Sequence, residues 1–335
     1  MYRRVFEDYL KAGGKLGSLG AMPKGRKAAA PFPCDPAKVF AKQVDALAVR
    51  LKRIGVKNVV IGVSGGLDSA LALLVAHSAF KRLSLPLSGI RAVTMPGFAT
   101  SGRTRTTADV LCEGLGVALE TIPIAHSVRR HLKDIGHDGK TCDITYENAQ
   151  ARMRTMILMN KANMVGGIVL GTGDMSEIAL GWCTYNGDHM SMFGVNAGVP
   201  KTVVRKVCAW YASRPGTAAK VSSSLLDIVA TPVSPELVKG QITEDTLGPY
   251  ELHDFFLWNF CRQGLGREQL LKAALSRYGK SYPTDLISRT LDTFLRRIVS
   301  QAFKRNCAPD GIKVFSFDFS KDGWSIPSDM PVGRL

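Results

Sequence analysis

Residues 59–73 read VVIGVSGGLDSALAL, and this stretch decides the fold. Val59, Val60, Ile61 and Val63 form a short apolar strand pattern, 64–69 a glycine turn, and the alanine- and leucine-rich run after it the start of a helix. A strand feeding such a turn points backbone N–H groups and the positive end of a helix at one spot, which suits phosphate. Gly65 and Gly66 allow close approach and unusual φ, while Ser64 and Ser69 add hydroxyl donors. Asp68 disfavours an anion by itself. It makes sense in an anion cradle if it holds Mg2+ bridging to the phosphates. A bare Ser-Gly-Gly also fits an ordinary strand–turn–helix with Asp or Ser as its cap; the whole string in this context favours the cradle. The spacing matches neither G-x-x-x-x-G-K-[ST] nor G-x-G-x-x-G.

Short apolar runs and helical patterns alternate on either side of this loop. Before it, Phe40, Val44, Leu47, Leu51 and Ile54 make one apolar stripe of a helix that begins near Asp35 and stops at Gly55. The patterning predicts strands over 58–63, 90–95, 117–124 and 167–170, with helices over 69–80, 104–115 and 145–164. Strands alternating with helices imply an α/β fold, a doubly wound parallel sheet covered on both faces, with ligands at the carboxyl ends of its strands. Beyond Pro200 the pattern turns helical, over 202–212, 250–262, 268–278 and 286–303. We expect residues 1–34 to be a tail or residual linker, with a short helix over 1–10. Residues 35–335 form one nucleotide-binding domain in this reading, mainly helical over 202–306, with a tail over 307–335 that folds back.

Composition narrows the class without choosing a ligand. The 335 residues are 45% hydrophobic and 21% charged, which excludes disorder, collagen-like repeats and coiled coil as the main content. No apolar run approaches the roughly 20 residues needed to span a bilayer. Arg3 and Arg4 are followed by Glu7, Asp8 and Lys11, where an export signal would place its apolar stretch, so a cytoplasmic protein is expected. Seven scattered cysteines with no C-x-x-C pair suggest reduced thiols and no zinc site. The formal net charge of +16 is spread along the chain with no basic block; it favours any polyanion, RNA or small nucleotide alike.

The S-G-G-x-D-S loop resembles that of the ATP pyrophosphatase superfamily, also called adenine nucleotide α-hydrolase-like, whose members cleave ATP between the α- and β-phosphates. A second constellation selects within it. After the strand GGIVL come Gly171-Thr172-Gly173-Asp174-Met175-Ser176-Glu177 and then IALGWCTYNGDHMSMFGVNAGVPKT, a polar, glycine-rich stretch that a ligand would satisfy. With GPYELHDF and FKRNCAPDGIKV, these segments resemble the synthetase domain of NAD synthetases, particularly the glutamine-dependent type, from about Phe32 to the C-terminus. The resemblance implies a ligase that amidates deamido-NAD to NAD with ATP and Mg2+, through an acyl adenylate, with ammonia as nitrogen donor and AMP and pyrophosphate as by-products. It implies homodimers or larger assemblies.

The same resemblance implies residue roles. Gly62, Val63, Ser64, Gly65, Gly66, Leu67, Asp68 and Ser69 would cradle ATP, with Thr172 close by and Lys201 supplying charge to its phosphates. Asp68 and Glu177 would be the Mg2+ ligands, and Glu177 would also border the deamido-NAD site. Asn148 and Arg154 would face the nucleotides, and Trp182, Cys183, Thr184 and Tyr185 would wall the nicotinate ribose pocket. Asp188 would lie near the ammonia and could take a proton from ammonium; an Asp that merely forms a turn fits as well. Lys304 would reach the deamido-NAD phosphates, although a solvated helix-end lysine is the plainer alternative. The stretch from Met95 to Thr100 resembles the loop that holds the adenosine half of ATP; within it and after it, Arg103 and Arg105 depart from the usual pattern and have no assigned role.

Glutamine-dependent members carry an N-terminal nitrilase-like amidase domain, for which the residues ahead of Phe32 are too few. The expectation is therefore free ammonia, a separate glutaminase on another chain, or a truncated product of a two-domain enzyme, and no glutaminase activity. Cys34 sits on a proline-flanked linker and is not such a domain's nucleophile. Two rivals stand beside the ligase: a tRNA-modifying member of the superfamily, which the net charge invites, and a non-catalytic nucleotide-binding remnant. The first lacks catalytic cysteine pairs and aromatics among basic residues, so nucleic acid is not an expected partner.

Overall fold

The computed structural model describes residues 29–100, 102–234, 237, 242–320 and 323–328; the side chains of 102–105 also lie outside the described set. The expectations for residues 1–10, for Arg103 and Arg105, and for the end of the tail fall outside it.

Helix α1 (Pro36–Ile54) begins where Asp35 accepts a hydrogen bond from the Lys38 N–H, and ends at Gly55, whose φ of 70° few other residues tolerate. Its buried stripe runs through Phe40, Val44, Leu47 and Leu51; Ile54, expected to continue it, is exposed. Then follow β1 (Val59–Gly62), α2 (Leu67–Arg82), β2 (Ile90–Thr94), α3 (Gly102–Leu115), β3 (Leu119–Thr121), α4 (Ala125–Asp134), α5 (Ile144–Met164), β4 (Ile168–Gly171), α6 (Met175–Leu180) and β5 (Phe193–Gly194). The five strands pair in parallel in the order β3-β2-β1-β4-β5. The chain winds outward from β1 to β3, then crosses back to β4, so the switch point of the sheet lies between β1 and β4.

Both faces of the sheet are covered. Val59, Ile61 and Leu170 pack into the larger core with α1, α2 and α3, whereas Val60, Val93 and Val169 point into a second cluster with α4 and α5. Alternate residues of one strand thus serve opposite layers, which explains why 59–61 is apolar without a break. This is a doubly wound α/β architecture.

The remaining helices are α7 (Lys201–Ser213), α8 (Ala219–Ala230), α9 (Thr243–Leu247), α10 (Tyr250–Gln263), α11 (Arg267–Tyr278), α12 (Thr284–Ser300) and α13 (Ala302–Arg305). They share the larger core through Val204, Phe255, Phe256 and Phe294. The single helix expected over 286–303 is broken at Gln301 into α12 and α13. After α13 the chain returns to the sheet edge, where the Gly194 N–H donates to Asp310 O and the Ile312 N–H to Gly194 O. No helix among the described residues is long and apolar enough to cross a membrane.

Candidate active site

The loops after β1 and β4 lie side by side at the switch point. In the first, Gly65 adopts φ 88° and the Gly66 N–H donates to Ser64 Oγ at 3.1 Å. Ser69 Oγ donates to Gly66 O and lies 3.2 Å from Ser64 Oγ, so both hydroxyls face the turn. Gly66 caps α2 without a side chain, leaving the first-turn N–H groups for another acceptor. Val63 and Leu67 send their side chains into the core, so only their backbone can serve a ligand. Asn196, fully buried, holds the two loops together: its Nδ2 donates to Asp68 O and to Thr172 O, both at 2.9 Å.

Between these loops sits a cluster of charges. Lys201, 1% exposed, places its Nζ 2.5 Å from Asp68 Oδ2, 2.8 Å from Glu177 Oε1 and 2.9 Å from Asp174 Oδ2. Oxygens of the three carboxylates lie within 4.8 Å of one another, and Asp68 Oδ1 is buried with no hydrogen-bond partner. Burial opposes the Lys201 charge, but the three carboxylates outweigh it and hold the ammonium well above its ordinary range. Burial pushes the Asp174 carboxyl well up against the pull of Lys201, and Glu177 likewise up to about 7. One ammonium cannot neutralise three converging carboxylates, one buried and two 20% exposed, so this group favours a further cation or a proton.

Asp174 was not among the residues singled out by sequence. Its Oδ1 accepts the Glu177 N–H at 2.8 Å, capping α6. An Asp followed three residues later by Glu at the end of a strand is the signal, and it reads first as a cap. Here the same carboxylate caps with one oxygen and meets Lys201 with the other.

The second group of expected residues gathers around the carboxyl end of α6. Thr184 Oγ1 donates to Asn148 Oδ1 at 2.8 Å, and the Thr184 N–H to Asp188 Oδ1 at 2.9 Å. Lys304 Nζ donates to Gly181 O and Cys183 O at 2.8 and 2.7 Å, and Arg297 Nε to Leu180 O at 2.8 Å. The Arg297 guanidinium also lies over the Trp182 ring. Lys304 therefore holds backbone carbonyls, which fits neither a free solvated lysine nor, as placed, one extended toward a phosphate. Burial pushes the Cys183 thiol up to about 12, which favours the neutral thiol over the thiolate. Tyr185 packs against His189 and Phe303.

A cavity of about 40 Å³ joins the two groups, lined among others by Glu177, Cys183, Asp188, His189, Ser191 and Lys304. Ser191 Oγ and His189 Nδ1 are buried without hydrogen-bond partners. Arg154 stands apart: from α5 its Nε donates to Met95 O at 3.1 Å, bracing the loop after β2, while Gln150 beside it accepts the Phe98 N–H.

A strand–glycine turn–helix cradle at the switch point, faced by carboxylates and a lysine, is the kind of site at which doubly wound α/β proteins take phosphate groups. The NAD synthase family profile matches residues 39–303, and the chain belongs to that family. It is 39% identical to the glutamine-dependent NAD(+) synthetase of Mycobacterium leprae (strain TN), over 94% of this chain and 52% of that protein. The solved structure of the glutamine-dependent NAD+ synthetase from Acinetobacter baumannii, in complex with ADP, is 26% identical, with a TM-score of 0.53 over 88% of this chain and 50% of that one. That of the glutamine-dependent NAD(+) synthetase from Cytophaga hutchinsonii shares the fold at 16% identity, with a TM-score of 0.72 over 89% of this chain and 54% of that one. The chain spans about half the length of the curated relatives it matches.

Proposed function

We propose that this chain is an amide ligase that converts deamido-NAD to NAD, using ATP, Mg2+ and ammonia. The observation that carries the reading is the contact of Lys201 with Asp68, Asp174 and Glu177 beside the 64–69 turn. A carboxylate does not react with ammonia at neutral pH, so it is first activated. Its oxygen attacks the α-phosphorus of ATP, the bond to the β-phosphate breaks, and pyrophosphate leaves with the electron pair. The ammonia nitrogen then attacks the acyl carbon, the bond to AMP breaks, and the nitrogen loses a proton.

Most of this chemistry is positioning and charge neutralisation. The N-terminus of α2 and the turn at Ser64, Gly65, Gly66 and Ser69 would receive the phosphates of ATP. Asp68 and Glu177, with Asp174 beside them, fit as oxygen ligands of Mg2+, because three carboxylates converge and one oxygen of Asp68 has no other partner. Bound there, Mg2+ supplies charge neutralisation for the departing pyrophosphate. Lys201 would turn from the carboxylates to the phosphates as these enter. Asn148, Trp182, Cys183, Thr184 and Tyr185 would border deamido-NAD, whose phosphates Lys304 reaches once released from its carbonyls. Asp188 would accept the proton from ammonium. The cavity beside it suits a molecule of ammonia's size, since about 10–15 Å³ admits one water.

A homodimer is part of this proposal. Sedimentation velocity tests this; a monomer at micromolar concentration would sink it. A glutaminase on another polypeptide or segment remains the proposed alternative source of ammonia, and we place the reaction in the cytoplasm.

The deciding experiment measures NAD and AMP from deamido-NAD, ATP and Mg2+, with ammonium or glutamine as nitrogen source. NAD from ammonium alone supports the ligase. AMP without NAD means that activation occurs and ammonia delivery needs a partner. Neither product overturns the reading. Replacing Asp68 by Asn should remove most turnover, whereas a nucleotide-binding remnant would lose only Mg2+-assisted affinity for ATP.

A further inference from the structure

Asp254, on α10, is 3% exposed and meets neither the cradle nor the cavity. One carboxylate oxygen accepts the hydroxyl of Ser176. The other accepts the Thr202 N–H at 2.9 Å and the Thr202 hydroxyl at 2.6 Å. Ser176 Oγ in turn accepts the Lys201 N–H at 2.9 Å. Lys201 and Thr202 are the first two residues of α7, whose N-cap, Pro200, has no side-chain hydrogen bond to offer. Ser176 and Asp254 thus cap α7 from outside it, satisfying two N–H groups that the helix cannot satisfy itself. A carboxylate at that end also complements the helix dipole.

The consequence is positional. Ser176 precedes Glu177 and follows Asp174 by two residues; Thr202 follows Lys201. Asp254 therefore ties the start of α6, which carries two of the carboxylates, to the start of α7, which carries the lysine. One turn earlier on α10, the Tyr250 ring lies 5.4 Å from Lys201 Nζ, so residues four apart on one helix face meet the lysine's ammonium directly and its backbone N–H through Ser176.

We propose that Asp254 is a positioning residue of this site, fixing Lys201 against Asp174 and Glu177 so that the lysine can meet the phosphates of ATP. The proposal rests on the ligase reading above. Misplacement of a catalytic group by about 1 Å can cost about a hundredfold in rate. Asp254→Asn keeps the shape but removes the charge and replaces one acceptor with a donor, so the bond to Ser176 must reverse and the Ser176 hydroxyl proton loses its acceptor.

The test compares wild type, Asp254→Asn, Thr202→Val and Thr202→Ser in steady-state NAD formation at a temperature where circular dichroism shows each folded. Asp254→Asn should lower kcat at least about tenfold, with KM for ammonium within about twofold, because ammonia is approached from the Asp188 side of the site. Thr202→Val removes one side-chain bond and leaves Asp254 in place, so its kcat should fall by a smaller factor. Thr202→Ser restores the hydroxyl and should recover the wild-type rate. If Asp254→Asn does not fold, the Thr202 pair carries the comparison. Equal kcat for wild type and the folded variants overturns the proposal. So does a Thr202→Ser enzyme as slow as Thr202→Val. An inactive wild type overturns the ligase reading itself, a different result from an active wild type matched by its variants.

Discussion

Replacing Lys201 by Met keeps most of the buried stem and removes the charge. What remains are three carboxylates whose oxygens lie within 4.8 Å, in a place where the lysine itself is 1% exposed. Removing one partner of a buried ion pair costs about 3–5 kcal/mol, because the remaining charge is stranded. At about 2.1 cal/mol/K per residue, a domain of about 300 residues shifts by roughly 1.6 °C per kcal/mol, so the melting temperature should fall by roughly 5–8 °C. The pH dependence has a definite sign. The ammonium is held above its ordinary range, so its contribution is fully present at every pH below that range and the loss spans neutral pH. In the variant the Asp174 and Glu177 carboxyls, raised by burial and no longer lowered by Lys201, bind protons more readily folded than unfolded, so acidification relieves part of the loss and the defect should be smaller at pH 5 than at pH 8. Urea unfolding of both proteins in EDTA at the two pH values measures this. A difference below about 1 kcal/mol at pH 8, or a defect that grows on acidification, would refute a buried cluster that depends on this lysine. Added Mn2+ should then raise the stability of the variant, since the ion competes with no ammonium for the carboxylates.

Asn196→Ala removes the two hydrogen bonds that hold the loops after β1 and β4, together with the one its Oδ1 accepts from buried Gln43 Nε2. It should destabilise by about 2 kcal/mol in chemical denaturation and raise KM for ATP. Gly198→Ala would set a Cβ 2.3 Å from Ile312 O and 3.0 Å from Val314 N, backbone that cannot move aside cheaply. A loss of about 1–3 kcal/mol is expected, and an unchanged denaturation midpoint would show that the tail does not pack there in solution. Burial raises the Asp254 carboxyl from 3.8 to about 6 despite its hydrogen bonds. Its folded form then holds the proton longer than the unfolded chain, so wild type should lose stability relative to Asp254→Asn as pH rises from about 4 to 6. A difference that does not change over that interval would contradict the shift.

The parallel sheet was legible because its evidence is local. Strand, turn and helix follow within a few residues at 59–73, and the other runs repeat the pattern. What escaped was set by contacts distant in sequence. Strand β5 is two residues long, and Phe193 and Gly194 carry no strand signal apart from β4 beside them. Helix α4 buries only Val128 and Leu132, too few apolar residues to declare itself in a polar run. At the site, Asp68, Glu177 and Lys201 were named from their motifs, yet their mutual contact joins the ends of two strands and the start of a third element. Asp254 and Asn196 lay within the quoted segments GPYELHDF and VNAGVPKT and drew no role, because each acts through bonds to residues 24 to 128 positions away.

The same long-range design explains why the charges sit where they do. Three helix starts converge on the site: α2 after the 64–69 turn, α6 after Asp174 and α7 after Pro200. Only the start of α2 is uncapped and faces the place proposed for phosphate; those of α6 and α7 are partial positive charges already taken up by side chains. Each start has also been given an anionic or hydroxyl side chain nearby: Asp68 on α2, Asp174 capping α6 and Asp254 serving α7. With Glu177, the carboxylates at the centre outnumber the single lysine. A polyphosphate brought there alone would meet more repulsion than attraction at short range, where buried charges are poorly screened. Cations that arrive with the nucleotide reverse that balance, and Lys201, freed from the carboxylates, adds to it. On this account the nucleotide and its metal bind together or weakly, and the order is testable: ATP affinity measured by calorimetry in EDTA should fall by at least about tenfold against that in Mg2+. Equal affinity in the two buffers would mean that the lysine alone suffices and that the carboxylates serve only to hold it.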